Sequence, residues 1–301
     1  MKTIKLYFSF ALVSAVCFLA CDKVENPNEK YVPGSPITPV TCTGVLVTKT
    51  NTLVSNHKKV LVEDYTGMKC GNCPPAAVVA DNLIIQHYDS VIVLAIHAGG
   101  FSVPSFAPFT ANYQTQAGTA WDANTGFGIS GGAGNPNGMV NRKDYPGTHI
   151  KPYSNWGSIV NAFLAPGNNA LDVKLDVTTQ YDLSQRLLNV TVKSTFKKAY
   201  SGDIKLNVVL SEDSIIGTQK DYSAIPVDVY PYVYDNMLRG SLNGDWGDVI
   251  KNAPLVNDTI TKKYLCNTLN AAFNDKHISV VVFAYDANNK EVIQTEKVKI
   301  R

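Results

Sequence analysis

The sequence predicts an α/β domain followed by an all-β sandwich, with an export segment ahead of both. This prediction rests on a change of pattern near Asn169. Between residues 58 and 168, apolar runs alternate with stretches of helical periodicity, whereas later apolar residues recur at every second position. The chain has 301 residues, of which 45% are hydrophobic and 17% charged, which is enough for two domains, expected at 41–168 and 169–301.

The first twenty residues have the layout of a secretory signal peptide. Lys2 and Lys5 precede a single apolar stretch that ends in small residues. Cys21 follows, and the stretch FLAC resembles a bacterial lipobox, although Phe18 stands where leucine is usual. We expect residues 1–20 to be removed and Cys21 to be acylated. The alternative is an ordinary signal peptide followed by an unmodified cysteine.

Residues 21–40 are expected to form a tether, because proline recurs there among polar residues and little can be buried. No later stretch reaches the roughly 18 apolar residues that would span a bilayer. The formal net charge is +2, from 27 basic and 25 acidic residues scattered along the chain, and this excludes nucleic acid as a partner. We therefore expect an exported protein that acyl chains on Cys21 hold to a membrane.

The α/β pattern begins with KKVLVEDY, an apolar-rich strand that starts at Lys58. PPAAVVADNLIIQHY follows with apolar residues at helical spacing, and SVIVLAIHAGG is a nearly continuous apolar run, typical of a strand buried on both faces. This order of strand, helix and strand predicts two parallel strands joined by a right-handed crossover.

A long segment, residues 99–135, then intervenes. It is rich in Gly, Ser, Asn and Thr, and we expect it to be functional or to contain a short helix near ANYQTQAG. NPNGMVNRKDY places a proline directly before a third strand. SNWGSIVNAFLAPG predicts a closing helix with Ser154 as its N-cap and Gly167 beyond its end.

Alternating strands after Asn169 indicate an immunoglobulin-like β-sandwich. The clearest are LDVKLDVTT, RLLNVTVKSTF, DIKLNVVLSED, HISVVVFAYD and KEVIQTEKVKI, with DANNKE as a hairpin turn. The long irregular stretch between them holds an aromatic cluster that either packs between strands or forms a ligand-binding surface, consisting of Tyr222, Tyr230, Tyr232, Tyr234 and Trp246.

The stretch TGMKCGNCPP carries the most specific chemistry in the sequence. A C-x-x-C pair where a strand passes into a helix, in an exported protein, is typical of a thioredoxin-like redox motif. Cys70 would lie at the helix N-terminus, where the helix dipole and Lys69 favour the thiolate. Cys73 would attack a mixed disulfide on Cys70 and release the partner.

Two further residues match thioredoxins by their spacing. Asp64 lies six residues before Cys70, like the buried acid that assists proton transfer, with Glu63 as the alternative. Pro136 precedes the next strand, where thioredoxin folds keep a cis-proline that faces the cysteines, so the backbone of Asn135 would meet a thiol partner.

Other features leave the chemistry open. Lys69 replaces the tryptophan of thioredoxins, and Gly71-Asn72 replaces their Gly-Pro, which leaves the direction of electron flow undecided. The cysteine pair is alternatively a structural disulfide that never turns over. A zinc site would need further ligands, for which the candidates are His57, His87, His97 and Cys266. His97 either caps a strand end or lies near the cysteines.

Two cysteines remain once Cys21 is acylated and Cys70 is paired with Cys73. We expect Cys42 and Cys266 to form a disulfide that joins the N-terminal segment to the β domain.

These features together resemble the outer membrane lipoprotein family of Gram-negative bacteria that is named for a twenty-eight-kilodalton outer membrane protein. The resemblance rests on the lipoprotein start at Cys21 and on VLVEDYTGMKCGNCP, GNPNGMVNR and LRGSLNGDWG. It implies outer membrane association and a thioredoxin-like domain joined to a β domain, with surface adhesion or receptor roles suggested for the family. Asp22 resembles an inner membrane retention signal of some bacteria, but the outer membrane is the expected location.

Two functions from different classes follow from the sequence. The first is an extracytoplasmic thiol-disulfide oxidoreductase that acts on protein thiols or disulfides of the cell envelope, without a cofactor, through Cys70, Cys73, Asp64 and Pro136. The second is a non-catalytic adhesin or envelope-assembly protein in which the cysteine pair is structural. Burial discriminates between them, because a catalytic Cys70 must be partly exposed.

Overall fold

The structure is a computed structural model that describes residues 46–51, 57–145 and 147–301. Its helices are α1 (Pro74–His87), α2 (Gln116–Asp122) and α3 (Trp156–Leu164). Its strands are β1 (Leu46–Thr50), β2 (Val60–Thr66), β3 (Val91–His97), β4 (Asn137–Val140), β5 (Val173–Asp182), β6 (Leu187–Phe196), β7 (Asp203–Glu212), β8 (Ile215–Lys220), β9 (Asp228–Tyr234), β10 (Met237–Ser241), β11 (Asp248–Asn252), β12 (Thr259–Thr268), β13 (Ile278–Asp286) and β14 (Val292–Lys299). The predicted signal peptide, the tether and Cys42 lie outside the described residues.

The central sheet has eight strands, in the order β14-β13-β7-β10-β3-β2-β4, with β11 also paired to β7. Strands β2 and β3 are parallel and are connected through α1, as the apolar pattern predicts. Strand β10 is parallel to β3 and antiparallel to β7. The predicted boundary at residues 168 and 169 falls between α3 and β5, but the sheet contains strands from both sides of that boundary.

Helices α1 and α3 cover one face of β2, β3 and β4. The core there combines the branched residues of the strands with small residues of α1 and with Trp156 and Phe163 of α3. On the opposite face, α2 packs through Ala117 and Trp121 against Leu61, Leu94 and side chains of β13. The nearly uninterrupted burial of β2 and β3 explains why their sequences do not alternate.

A second sheet, in the order β1-β5-β6-β12, packs on β7, β13 and β14. Strands β5 and β6 alternate buried and partly exposed residues, as the period of two in the sequence predicts. Their register continues across ten paired positions, from Val173 opposite Phe196 to Asp182 opposite Leu187. Residues 169–301 together with β1, the β-rich half, are therefore two layered sheets that share a single core.

Strands β8 and β9 form a separate two-stranded hairpin. The sequence pattern left this region as an irregular stretch, but β8 to β12 all fall within it. Burial along β8, β9 and β11 is partial and uneven, so the alternation that reveals β5 and β6 is missing there. Strand β12 alternates, but only between exposed and half-buried residues. Among the described residues, no helix has the length and apolar character needed to cross a membrane.

The N-cap prediction for α3 is wrong. Tyr153–Asn155 forms a 3-10 turn, so that the helix begins at Trp156 and Asn155 occupies the N-cap position. The hydroxyl of Ser154 lies against the side-chain oxygen of Asn155 instead of bonding to the helix backbone.

A buried ion pair joins the two halves of the molecule. Arg142, directly after β4, donates two hydrogen bonds to the carboxylate of Glu63 on β2, at 2.8 and 2.6 Å. Both side chains are almost fully buried. Five aromatic rings surround the guanidinium at 4.6 to 6.0 Å, namely Trp121, Phe127, Trp246, Phe283 and Tyr285.

Arg142 holds its charge in spite of burial. Burial alone lowers the pKa of Arg142, but the charge of Glu63 and the hydrogen bonds to it outweigh that effect and leave the pKa above its usual value. Because three of the five rings come from the β-rich half, the contact of Arg142 with them fastens that half to β2 and β4.

We predict that Arg142→Met lowers the free energy of unfolding by roughly 3–5 kcal/mol, because it leaves Glu63 buried and unpaired. The double variant Glu63→Leu/Arg142→Met should recover most of that loss, since it removes both charges. Guanidinium denaturation at pH 7 measures the effect. Lys174→Met is the control, because its partly exposed pair with Asp176 should be worth less than about 1 kcal/mol. Equal losses in Arg142→Met and the control would contradict this role.

Candidate functional site

The two cysteines lie where β2 passes into α1 and form a disulfide. The S–S distance is 2.04 Å and the Cα atoms are 5.4 Å apart. Cys73 is the N-cap residue of α1, and Pro74 and Pro75 occupy the first turn, where the missing N–H groups leave no helix hydrogen bond unmade. Cys70 is only 2% exposed and Cys73 only 1%. The partial exposure expected of a catalytic Cys70 is therefore absent in this conformation, and burial by itself favours the structural disulfide.

Residues 67–73, the cysteine loop, are held by hydrogen bonds of their own backbone. The N–H of Cys70 donates to the carbonyl of Gly67 at 2.9 Å, and that of Cys73 donates to the carbonyl of Cys70 at 3.1 Å. The N–H of Lys69 donates to the carbonyl of Phe101, which lies near the start of the long segment 99–135. Gly67 is required here, because a Cβ atom would lie 2.6 Å from the carbonyl carbon of Phe101.

The β8–β9 hairpin covers the cysteine loop. The side-chain amide of Gln219 donates to the carbonyls of Gly67 and Cys70, at 3.3 and 3.0 Å. The backbone N–H of Tyr222 donates to the carbonyl of Gly71 at 2.9 Å. The ring of Tyr222 lies flat against Gly71, where an added Cβ atom would come within 2.6 Å of it. Gly71 therefore allows the hairpin to close over the disulfide.

Asp64 lies near the disulfide and, almost fully buried, lines a cavity of about 50 Å³ that Cys73 also lines. Such a volume holds more than one water molecule. The Oδ1 atom of Asp64 is buried without a hydrogen-bond partner among the described residues. Burial, and then the charge of Asp81, raise the pKa of Asp64 to about 7.

Glu63 does not share this environment. Because consecutive strand residues point to opposite faces, Glu63 turns away from the cavity and binds Arg142. Of the two neighbouring acids, the structure therefore brings Asp64 to the cysteines.

Pro136 stands directly before β4, and the peptide bond between Asn135 and Pro136 is cis. Its ring lines a surface groove with Gly71 and Asn72 of the cysteine loop and with Tyr222 of the hairpin. Both side-chain amide atoms of Asn135 are buried and make no hydrogen bond within the described part of the chain.

His97, the last residue of β3, lines the same cavity as Asp64 and Cys73. The rings of Tyr113 and Tyr234 pack edge-on against it, with centroids at 5.2 and 5.3 Å. Burial, and then the charge of Arg239, lower the pKa of His97 to about 3, so the imidazole is neutral at physiological pH. It forms an uncharged wall of the cavity.

Sequence reasoning missed the contribution of the hairpin and of α1 to the site. Gln219 lies 149 residues after Cys70, and no local pattern signals a contact at that separation. Asp81 was detectable, because a helix carries residues 73, 77 and 81 on one face.

The remaining candidates lie apart from this site. Cys266 is partly buried on β12, where its backbone N–H donates to Asn189 at 2.7 Å. Its predicted disulfide to Cys42 stays a prediction, because Cys42 lies outside the described residues. Within residues 46–51, 57–145 and 147–301, no group of His, Cys, Asp and Glu side chains is arranged to hold a metal ion.

Comparison with known proteins gives one family match. The family model described as outer membrane protein Omp28 matches residues 128–301, more than half of the chain, and this range does not include the cysteine pair. No curated protein matches the chain.

Three solved structures resemble the chain. HBP35 of Porphyromonas gingivalis matches with a TM-score of 0.60 at 17% identity, over 81% of this chain and 76% of the other. A protein from Agrobacterium tumefaciens gives a TM-score of 0.49 at 15% identity, over 81% and 95%. A domain of the outer membrane lipoprotein Omp28 from Porphyromonas gingivalis gives 0.28 at 22% identity, over 43% and 88%. The likeness to HBP35 supports the fold alone.

We predict that the burial of Asp64 makes the folding stability decrease as the pH rises. The folded state holds the Asp64 proton more tightly than the unfolded chain does. The stability that Asp64 contributes is therefore fully present below pH 3.8 and is lost as the pH rises to about 7. The loss amounts to about 4 kcal/mol, since one pKa unit corresponds to about 1.4 kcal/mol.

Urea denaturation of the oxidised protein between pH 4 and pH 8.5 measures this effect. Asp64→Asn should remove most of the pH dependence and should be more stable than the wild type above pH 7. Asp144→Asn, an exposed carboxylate, should keep the wild-type profile. A profile that Asp64→Asn leaves unchanged would contradict the prediction.

Proposed function

The chain belongs to the Omp28 family of outer membrane proteins, and we propose that it is a thiol-disulfide oxidoreductase of the cell envelope whose redox site is capped. One observation carries the proposal: a buried carboxyl group, with a pKa raised to about 7, shares a cavity with the second cysteine. A disulfide that serves only to cross-link has no need of a proton acceptor beneath it. A general base that works near neutral pH needs a pKa close to that value.

The topology supports a thioredoxin-like α/β half. A strand, the cysteine pair and a helix follow one another, and β3, β2 and β4 lie side by side in that order, with Pro136 directly before β4. The β-rich half supports an immunoglobulin-like arrangement, since β5, β6 and β12 form one layer and β7, β13 and β14 the other. The second layer continues into the α/β half.

The chemistry uses Cys70 as nucleophile and Cys73 as resolving thiol. In the reducing direction, the Cys70 thiolate attacks a partner disulfide, forms a mixed disulfide and releases the first partner thiolate. The Asp64 carboxylate takes the proton of the Cys73 thiol. The Cys73 thiolate then attacks the sulfur of Cys70, closes the internal disulfide and releases the second partner thiolate. Two electrons pass from the protein dithiol to the partner, and the oxidising direction is the reverse.

The hairpin must move for this reaction to occur, because a partner disulfide cannot reach a cysteine that is 2% exposed. The bonds to be broken are few: those from Gln219 and Tyr222 to the cysteine loop, and one from the N–H of Lys220 to the carbonyl of Met68 at 2.8 Å. Each contributes on the order of 1 kcal/mol net. Opening is confined to the end of the hairpin at residues 219–222, because Tyr234 of β9 stays packed with Met68, Phe109 and Tyr113 in a buried cluster.

A second candidate function is favoured by the same burial. If the hairpin never opens, the Cys70–Cys73 disulfide is a structural clasp, and the protein is a non-catalytic surface protein that binds through its exposed loops. The hairpin carries several exposed apolar side chains, among them Tyr222, Ile225 and Tyr230.

We place the protein at the membrane through an acylated Cys21. The lipobox-like FLAC and the polar tether of residues 21–40 support this anchor. Mass spectrometry of the mature protein purified from membranes tests it, with Cys21→Ser as the variant that should be released into the soluble fraction.

The reduction potential of the disulfide decides between the two functions. The soluble protein without residues 1–21 is equilibrated against glutathione buffers, and Cys73→Ser serves to trap mixed disulfides on Cys70. A potential between about −120 and −270 mV with trapped envelope proteins supports the oxidoreductase. A potential below about −300 mV with nothing trapped supports the clasp. Cys70→Ser, which lacks the nucleophile, is the control.

We predict that Gln219→Ala raises the rate at which dithiothreitol reduces the disulfide by about tenfold, because loss of the amide bonds lowers the cost of opening by about 1.4 kcal/mol. Alkylation and mass spectrometry follow the reduction. Tyr230→Ala is the matched control on the same hairpin, where the side chain is 71% exposed and should leave the rate unchanged. An unchanged rate in Gln219→Ala would contradict the role of the hairpin as a cap.

A further inference from the structure

Asp81 lies at the solvent-exposed end of the cavity near the disulfide. Asp64 lies deep in the cavity and is almost fully buried, whereas Asp81 on α1 is exposed. Both line the same space with Cys73. The cavity thus runs from the resolving cysteine and the buried acid to a carboxyl group in contact with solvent.

The sequence of α1 keeps this space open. Ala77 and Ala80 lie between Cys73 and Asp81 on the face that lines the cavity. Their side chains are single methyl groups, and a larger side chain at either position would occupy part of a space of only about 50 Å³. Ala80 also borders the core, where it packs with Ala76 and Leu83.

The groups that face Asp81 come from several elements. Asp64 lies on β2 and the neutral His97 on β3, and Tyr232 borders the space from β9. Partial burial of the carboxyl group, and then the charges of Asp235 and Asp213, raise the pKa of Asp81. Both are tied to other groups, since Asp235 accepts from the N–H of Ser214 at 2.7 Å and Asp213 binds Lys297 and Lys299 at 3.5 and 2.7 Å. Asp81 therefore stands in an acidic surrounding that favours proton uptake.

We infer that Asp81 is the proton exit of the redox site, a positioning residue that acts through Asp64. The inference rests on the proposed function. When the Cys73 thiol loses its proton to the Asp64 carboxylate, the proton must leave before Asp64 can act again. Water in the cavity passes it to Asp81, which releases it to solvent. In the opposite direction Asp81 delivers a proton to Asp64, and no electron is gained or lost in either transfer.

The test compares Asp81→Asn with the wild type in two measurements. The first is the pH at which the Asp64 carboxyl group titrates in the oxidised protein, followed by ¹³C NMR and assigned with Asp64→Asn. The titration should move to lower pH in Asp81→Asn, because a negative neighbour is removed.

The second measurement is the resolution rate of a mixed disulfide on Cys70. The reduced protein reacts with bis(2-hydroxyethyl) disulfide between pH 5.5 and 9. One mercaptoethanol is released when the mixed disulfide forms and a second when Cys73 resolves it, and release of the second is followed. Resolution should slow about tenfold below pH 7 in Asp81→Asn, less than the roughly 10²–10⁴-fold that a directly acting acid or base contributes. The lowered titration of Asp64 would by itself speed resolution at that pH, because more of Asp64 would be ionised, so a slower rate reports the loss of the proton exit. Asp81→Glu should restore the rate, and Asp144→Asn should leave it unchanged.

The outcomes separate this inference from the proposed function. If the wild type forms and resolves the mixed disulfide, an unchanged rate and pH profile in Asp81→Asn overturns the inference alone. If the wild type never forms the mixed disulfide, the oxidoreductase proposal fails and the proton-exit role fails with it. A shifted Asp64 titration in that case shows only that the two carboxyl groups share one cavity.

Discussion

Arg142 holds the molecule together where its two halves meet. Its guanidinium binds Glu63 of β2 on one side and is enclosed by rings from α2, from the loop after β10 and from β13 on the other. A charged group can occupy such a position only if its partner and its surroundings compensate for lost hydration. Glu63 supplies the charge and the rings supply their negative faces. Because Glu63 is thereby oriented away from the cysteines, its neighbour Asp64 faces them.

The cysteine site inherits its geometry from this arrangement. Strand β2 is buried on both sides, and its two acids are separated by the pleat of the strand, one into an ion pair and one into a cavity. The β-rich half contributes the hairpin that covers Gly71 and Cys70, and it also contributes β10, which extends the sheet beside β3. The redox chemistry proposed here thus depends on contacts between residues that are far apart in the sequence.

The elements near the cysteines could be predicted because their signals are local. The apolar run of β2, the helical spacing after Pro74 and the position of Pro136 each depend on a few consecutive residues, and the structure has β2, α1 and β4 there. The hairpin could not be predicted, because β8 and β9 pair only with each other in the described part of the chain. Their buried side chains pack against Met68 and Phe109, not against a larger sheet. The burial of Arg142 could not be predicted either, because an arginine that follows a strand is usually solvated.

The place of β10 beside β3 has a consequence for how the chain matures. A chain that emerges from its amino end presents β2, α1 and β3 long before Met237 is available to pair with Ala95. Until then β3 is an unprotected sheet edge, and Cys70 and Cys73 have no hairpin above them. Before residues 215–241 arrive, an external oxidant can therefore close the disulfide without any opening of the hairpin.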